Sequence, residues 1–125
     1  MQDISGLPEA GQQLINGYGD GGFRISGVRH EGSVLVFTDK TVPWELTSVE
    51  HLEASHLQAI KDADPAVEIL LIGCGANMAF IDEGIRNEFR AAGIVIDSMD
   101  SGAAMRTYNV LLLEGRRVAA ALIAV

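Results

Sequence analysis

The chain has 125 residues and a mass of 13.3 kDa, enough for one domain that buries about two thirds of its unfolded surface. Its composition, 48% hydrophobic, 21% charged and 6% aromatic, excludes disorder, collagen-like repetition and aromatic-rich base stacking. The formal charge of -8 repels phosphate backbones and anionic lipid, which argues against nucleic acid as a partner.

Residues 1–13 read as a loosely ordered N-terminal segment of one domain covering 1–125. They lack the basic start and apolar core of a signal peptide, and the single cysteine, Cys74, forbids an internal disulfide. Both features point to a reducing, cytoplasmic compartment. From Leu14 to Phe37 the chain is punctuated by Gly17, Gly19, Gly21, Gly22, Gly27 and Gly32. That spacing predicts tight turns between short antiparallel strands, with strands near Phe23–Ile25 and Val34–Phe37. Gly19-Asp20-Gly21-Gly22 precedes a strand instead of opening a helix, and its Asp repels anions, so it reads as turn chemistry and not as a phosphate cradle. Pro43-Trp44 is a rigid bend whose Trp, the only one in the chain, reads as a packing anchor.

Thr47-Ser48-Val49-Glu50 fits a capping box, and Val49, Leu52, Leu57 and Ile60 follow at helical spacing until Asp64-Pro65. His51 and His56, five residues apart, diverge on such a helix and read as surface histidines, with no metal site expected. Val67–Ile72 is a continuous apolar run suited to a central strand. After the turn Gly73-Cys74-Gly75, the repeat Ile81, Ile85, Phe89 predicts a helix that stops at Ala92-Gly93, and Ile94–Ile96 follows as a buried strand. This is a βαβ unit, for which a right-handed crossover is expected. A third helix begins near Ser101, carries Ala104, Tyr108 and Leu111 on one face and stops at Gly115 before the strand Val118–Ile123. The fold class is therefore α/β: an N-terminal antiparallel hairpin region followed by β-α-β-α-β. The longest apolar stretch, Val118–Val125, is too short to cross a bilayer, so no stable membrane insertion is expected.

Two constellations could carry chemistry. Gly73-Cys74-Gly75-Ala76-Asn77-Met78 follows a strand, precedes a helix and has Asp97 near the end of the next strand, as in a dinucleotide fingerprint. Met78, however, replaces the third glycine, and the chain is too short for two mononucleotide-binding halves, so no cofactor is expected. Cys74 reads either as an activated thiolate or as an idle thiol; no histidine lies near it in sequence.

The second constellation is Met99-Asp100-Ser101-Gly102-Ala103-Ala104-Met105-Arg106-Thr107-Tyr108-Asn109. Ser101 can cap the helix, and the small residues after it leave the first-turn amides open to an anion. Gly102, Arg106 and Asn109 stand at i, i+4 and i+7 in one polar row. Arg106 has two readings. It pairs with Asp97, Asp100 or strand-end carbonyls as a structural clamp, or it joins the helix start in binding an anionic group or a partner's carboxylate. From Ser101 onward, Arg106, Arg116 and Arg117 against Glu114 give a locally basic +2, leaving -10 on the rest.

The motifs Tyr18-Gly19-x-Gly21-Gly22-Phe23-Arg24, Pro43-Trp44, Glu68-Ile69-Leu70-Leu71-Ile72-Gly73-x-Gly75, Gly93-Ile94, Met99-Asp100, Ala103-Ala104-x-Arg106-Thr107-Tyr108-Asn109 and Glu114-Gly115-Arg116 occur in this order. Together they resemble the small α/β family that includes the mitochondrial complex I assembly factor 3, over about Ile15 to Val125. Cys74 stands where relatives often carry Thr, Ser101 replaces Thr and Met105 replaces Cys. The resemblance implies a three-layer domain with a mixed central sheet, no established catalytic activity and, for the mitochondrial relative, a chaperone-like part in building a respiratory complex. The expected function is accordingly non-enzymatic protein binding, with other proteins, including membrane-complex subunits, as partners. Gly73, Cys74, Gly75, Asp100, Ser101, Gly102, Arg106, Thr107, Tyr108 and Asn109 are the candidate residues. The alternative is an anion-binding protein or enzyme with its site between the Gly73–Gly75 turn and the Ser101 helix start.

Overall fold

The computed structural model describes residues 10–125. Of the N-terminal segment, residues 1–9 lie outside the described part. Gln12 and Gln13 are tied into the domain: the Gln12 carbonyl accepts from Ser26 Oγ (3.0 Å), the Gln13 amide donates to the Thr38 carbonyl (2.9 Å), and Gln13 Oε1 accepts from Thr41 Oγ1 (2.7 Å).

Glycine turns organise the first third of the chain, as their spacing predicts. Strands β1 (Ile15–Gly19), β2 (Gly22–Ile25) and β3 (Val28–Glu31) form an antiparallel meander in the order β1-β2-β3. Its two connections, Asp20-Gly21 and Ser26-Gly27, place both central residues at positive φ, the mirror-image turn whose twist matches a two-residue hairpin. Sequence periodicity missed β1 and β3 as separate strands. β1 is interrupted by Gly17 and Gly19, and β3 is polar and largely exposed, so neither shows a hydrophobic alternation.

The central sheet has five strands in the order β5-β4-β8-β6-β7, formed by β4 (Val34–Val36), β5 (Thr41–Pro43), β6 (Ile69–Gly73), β7 (Val95–Met99) and β8 (Val118–Leu122). β6 pairs in parallel with both β7 and β8, while β4 pairs antiparallel with β8 and β5. The sheet is mixed, with the βαβ unit on one side and the returning N-terminal strands on the other. Alternation along the strands divides the core in two. Val34, Val36, Leu71, Val118, Ala120 and Leu122 face the meander and helix α3 (Ser101–Leu113). Leu35, Phe37, Leu70, Ile72, Ala119 and Ala121 face helix α2 (Glu83–Ala91) and the short helical segment before β6. The result is three layers: α3 with the meander, the sheet, and the remaining helices.

The expected helix from Thr47 is shorter than its apolar spacing suggests. Ser48 Oγ accepts from the Glu50 amide (3.0 Å), which closes a local turn and diverts the chain from helix. Helical structure begins as a 3-10 turn, Ala54–Leu57, continued by one turn of α1 (Gln58–Lys61). His56 is not a free surface histidine: its Nδ1 accepts from the Glu53 amide (2.9 Å), and its carbonyl accepts from Trp44 Nε1 (2.8 Å). The Trp is thus a buried anchor with its one polar atom satisfied.

β7 forms one edge of the sheet. Ile96 and Ser98 turn their backbone groups outward, and Arg86 from α2 covers them, donating to the Ile96 carbonyl (2.7 Å) and to Ser98 Oγ (3.2 Å). A guanidinium laid along an open edge blocks strand addition there.

Ala119, Ala120 and Ala121 are fully buried in β8, the strand flanked by β4 and β6. Their small side chains let both outer layers approach the sheet closely. Ala120→Ile should therefore cost about 1–3 kcal/mol by overpacking against α3, read as a lower urea midpoint at unchanged m-value.

Candidate functional site

The two sequence constellations meet in space. Gly73 ends β6, Cys74 and Gly75 turn away from it, and α3 begins immediately beside the turn. The Ser101 amide donates to the Gly75 carbonyl (2.8 Å), and the Gly75 amide returns a bond to Ser101 Oγ (3.0 Å). Ser101 Oγ in turn donates to the Ile123 carbonyl (2.7 Å). The Ile123 amide donates to the Gly73 carbonyl (2.9 Å) and the Cys74 amide to the Met99 carbonyl (2.8 Å). One buried hydroxyl therefore joins the carboxyl ends of β6 and β8 to the start of α3, and the turn it holds is bonded to the end of β7.

The joint is tight. A Cβ on Gly73 would lie 2.9 Å from both Ser101 Cα and Leu122 Cδ2, and one on Gly102 would lie 2.5 Å from the Tyr18 hydroxyl oxygen. Gly73 is therefore required for close approach, because the backbone of Ser101 cannot give way, whereas at Gly102 the exposed Tyr18 side chain could swing aside. The cap of α3 is Asp100, where the sequence suggested Ser101. Asp100 Oδ2 accepts from the Ala103 amide (3.0 Å), while Ser101 is the first helical residue and turns its hydroxyl into the sheet. Of the first-turn amides expected to be open to an anion, that of Ser101 is thus bonded to the Gly75 carbonyl and that of Ala103 to the chain's own carboxylate, and the Tyr18 side chain lies against Gly102. Negative charge is already in place at the positive end of the helix.

Cys74 is partly buried, with Sγ 3.7 Å from the carbonyl oxygens of Ile72 and Ala79. Burial pushes its pKa above the ordinary thiol value. At neutral pH it is a protonated thiol, which does not suit it to act as a nucleophile.

Arg106 is not the clamp the sequence suggested. Its side chain is exposed, and among the described residues no hydrogen bond or ion pair holds it; Asp97 is itself exposed and Asp100 is engaged at the cap. The cause is rotational. Ala104, Tyr108 and Leu112 form the buried face of α3, and Arg106, two residues from both Ala104 and Tyr108, points away from it. The locally basic C-terminal portion is likewise partly neutralised, because Arg116 and Arg117 pair with Glu68 at 3.1 and 3.9 Å.

Tyr108 and Asn109 do the clamping instead. The Tyr108 hydroxyl donates to the Gln13 carbonyl (2.8 Å) and lies 3.1 Å from the Phe37 carbonyl. Asn109 pairs with both backbone groups of Ile15, accepting from its amide (2.9 Å) and donating to its carbonyl (2.8 Å), as a neighbouring strand would. Thr107 is half-buried, with Oγ1 3.6 Å from Met99 Sδ. Among the described residues no group of three or more His, Cys, Asp or Glu side chains could hold a metal.

A family model described as a protein of unknown function (DUF498/DUF598) matches residues 15–123. The chain belongs to this family. An uncharacterized protein of Rhodobacter capsulatus is 42% identical over 114 residues, covering 91% of this chain and 86% of that protein. The NADH dehydrogenase [ubiquinone] 1 alpha subcomplex assembly factor 3 of Xenopus tropicalis is 30% identical over 110 residues, covering 88% of this chain. The chain spans only 60% of that assembly factor's length. A crystal structure described as an outer membrane protein from Bartonella henselae superposes with a TM-score of 0.81 at 35% identity, covering 91% of this chain and 96% of that one. No described helix of the present chain is long and apolar enough to cross a membrane.

Ser101→Ala should cost about 1–3 kcal/mol, because it leaves the Gly75 amide and the Ile123 carbonyl unpaired in a buried place, whereas Arg106→Met should shift stability by no more than about 0.5 kcal/mol. Urea unfolding of the two variants separates these expectations. Burial, followed by the nearby Asp39 charge, also raises the Tyr108 pKa. Below the ordinary phenol value of about 10 the residue is neutral in both states. Above it the unfolded chain ionises while the folded chain resists, so stability falls as pH rises toward the raised folded value. Unfolding midpoints measured between about pH 9 and 11 should decline less steeply for Tyr108→Phe than for the wild type.

Proposed function

We propose that this chain is a non-enzymatic, protein-binding domain that assists assembly of a respiratory membrane complex, with subunits of that complex as its partners. The observation that carries the reading is the closure of the Gly73–Gly75 and Ser101 joint. The place where an α/β sheet ordinarily receives a ligand is filled by the chain's own hydroxyl, carboxylate and Tyr18 ring. Its thiol is protonated, and the helix start carries its own anion. Similarity to the assembly factors supplies the kind of partner, and the lone thiol favours a cytoplasmic site of action.

Within this reading, Gly73, Gly75, Asp100, Ser101, Gly102, Tyr108 and Asn109 build the scaffold. Arg106 faces outward to a partner's carboxylate, and Thr107 supports the same helix. Deleting the gene in the organism that encodes the chain should lower the amount of fully assembled NADH dehydrogenase on native gels while its individual subunits are still made. Unchanged assembled complex in the deletion strain would contradict the assembly role.

A further inference from the structure

The joint leaves unexplained the most exposed large apolar residue of the described chain. Phe80 is 89% exposed, on the loop between β6 and α2, and Met78 of the same loop is 52% exposed. An aromatic ring held in water on a loop forgoes burial worth a few kcal/mol. Beside it lies a groove of about 250 Å3, floored by Val49 and Leu52 from the turn before the 3-10 segment and by Ile81 and Ile85 from the start of α2. Small-molecule pockets are roughly 300–1,000 Å3. This one suits a single bulky side chain better than a cofactor.

The rim carries one sign of charge. Glu50 and Asp82 line the groove. The lining stretches 49–52 and 80–85 add Glu83 and contain no Lys or Arg. Nearby cations are committed elsewhere: Arg86 lies along the β7 edge, and Lys61 pairs with Glu88 at 2.6 Å. Asp82 also caps α2, accepting from the Gly84 amide (2.9 Å), so Glu50 is the lining carboxylate without such a partner among the described residues. Aliphatic side chains, a projecting aromatic ring and acidic groups on one rim are complementary to an apolar residue flanked by positive charge.

We propose that the groove beside Phe80 docks a Lys- or Arg-rich segment of another protein through one bulky apolar anchor. This rests on the protein-binding reading above and adds the surface and the chemistry of the partner. A second copy of the chain is a poor occupant. It brings the same net charge of -8, which disfavours approach to an acidic rim.

The test uses fluorescence anisotropy with a synthetic helix-forming peptide bearing one Leu-Phe anchor flanked by lysines, and a matched peptide with glutamates in place of the lysines. The wild type should bind the lysine peptide, and more weakly as salt rises. Phe80→Ser and Glu50→Lys should each weaken binding by at least about tenfold. Glu114→Lys, after α3 in the opposite layer, should leave binding nearly unchanged. Both groove positions are exposed, so these variants should melt with the wild type. Equal binding of the two peptides, equal loss in Glu114→Lys, or full binding by Phe80→Ser would overturn the proposal, as would concentration-dependent dimerisation abolished by Phe80→Ser. The deletion strain separates this inference from the reading it rests on. If deletion lowers the assembled complex and Phe80→Ser restores it fully, the groove assignment fails while the assembly role stands. If deletion has no effect but peptide binding depends on Phe80, the groove stands and the assembly role fails.

Discussion

A single buried hydroxyl holds the architecture together. Ser101 Oγ accepts from the amide that follows β6 and donates to the carbonyl that follows β8, while its own backbone amide returns to the turn. Buried backbone groups left unpaired are costly, and three elements end at this point. The hydroxyl satisfies two of those ends with one short side chain. Gly73 follows from it, since the hydroxyl can reach both strands only if nothing larger than hydrogen separates the start of α3 from the end of β6.

That constraint also shapes what the surface can do. Because the usual ligand position of an α/β sheet is closed, the recognition surface we propose lies at the periphery. There the chain is asymmetric. The outer edge of β7 is blocked by Arg86, the C-terminal arginines are held by Glu68, and the loop after β6 extends an aromatic ring beyond an acidic groove. The same turn that Ser101 fixes on one side leads, a few residues later, to Phe80 on the other. The rigid joint thereby sets where the exposed loop departs.

The layered α/β order was legible because apolar runs such as Leu70–Ile72 and the four-residue repeat Ile81, Ile85, Phe89 report burial directly. The resemblance supplied the mixed sheet. Less legible were elements whose partners are distant in sequence. β1 takes part of its pairing from the Asn109 side chain, and β5 is three residues long and includes a proline. The misplaced helix start shows a side chain, Ser48, outcompeting helical spacing. Arg106 departs from the clamp reading because the face carrying Ala104 and Tyr108 does meet the sheet, which turns Arg106 outward, while the polar row Gly102, Arg106, Asn109 suggested a common buried setting. Tyr108 and Asn109 were singled out as residues, but their clamping role depends on Gln13 and Ile15. No local pattern connects those positions.

Amide hydrogen exchange at Gly75 tests the central role of the Ser101 hydroxyl most directly. The account predicts that this amide, though it lies in a turn, exchanges as slowly as the amides of β6 and β8 in the wild type, and becomes fast in Ser101→Ala while β6 stays protected. Exchange in the wild type as fast as at the exposed neighbour Ala76 would mean that the hydroxyl does not hold the turn, and the account would be wrong.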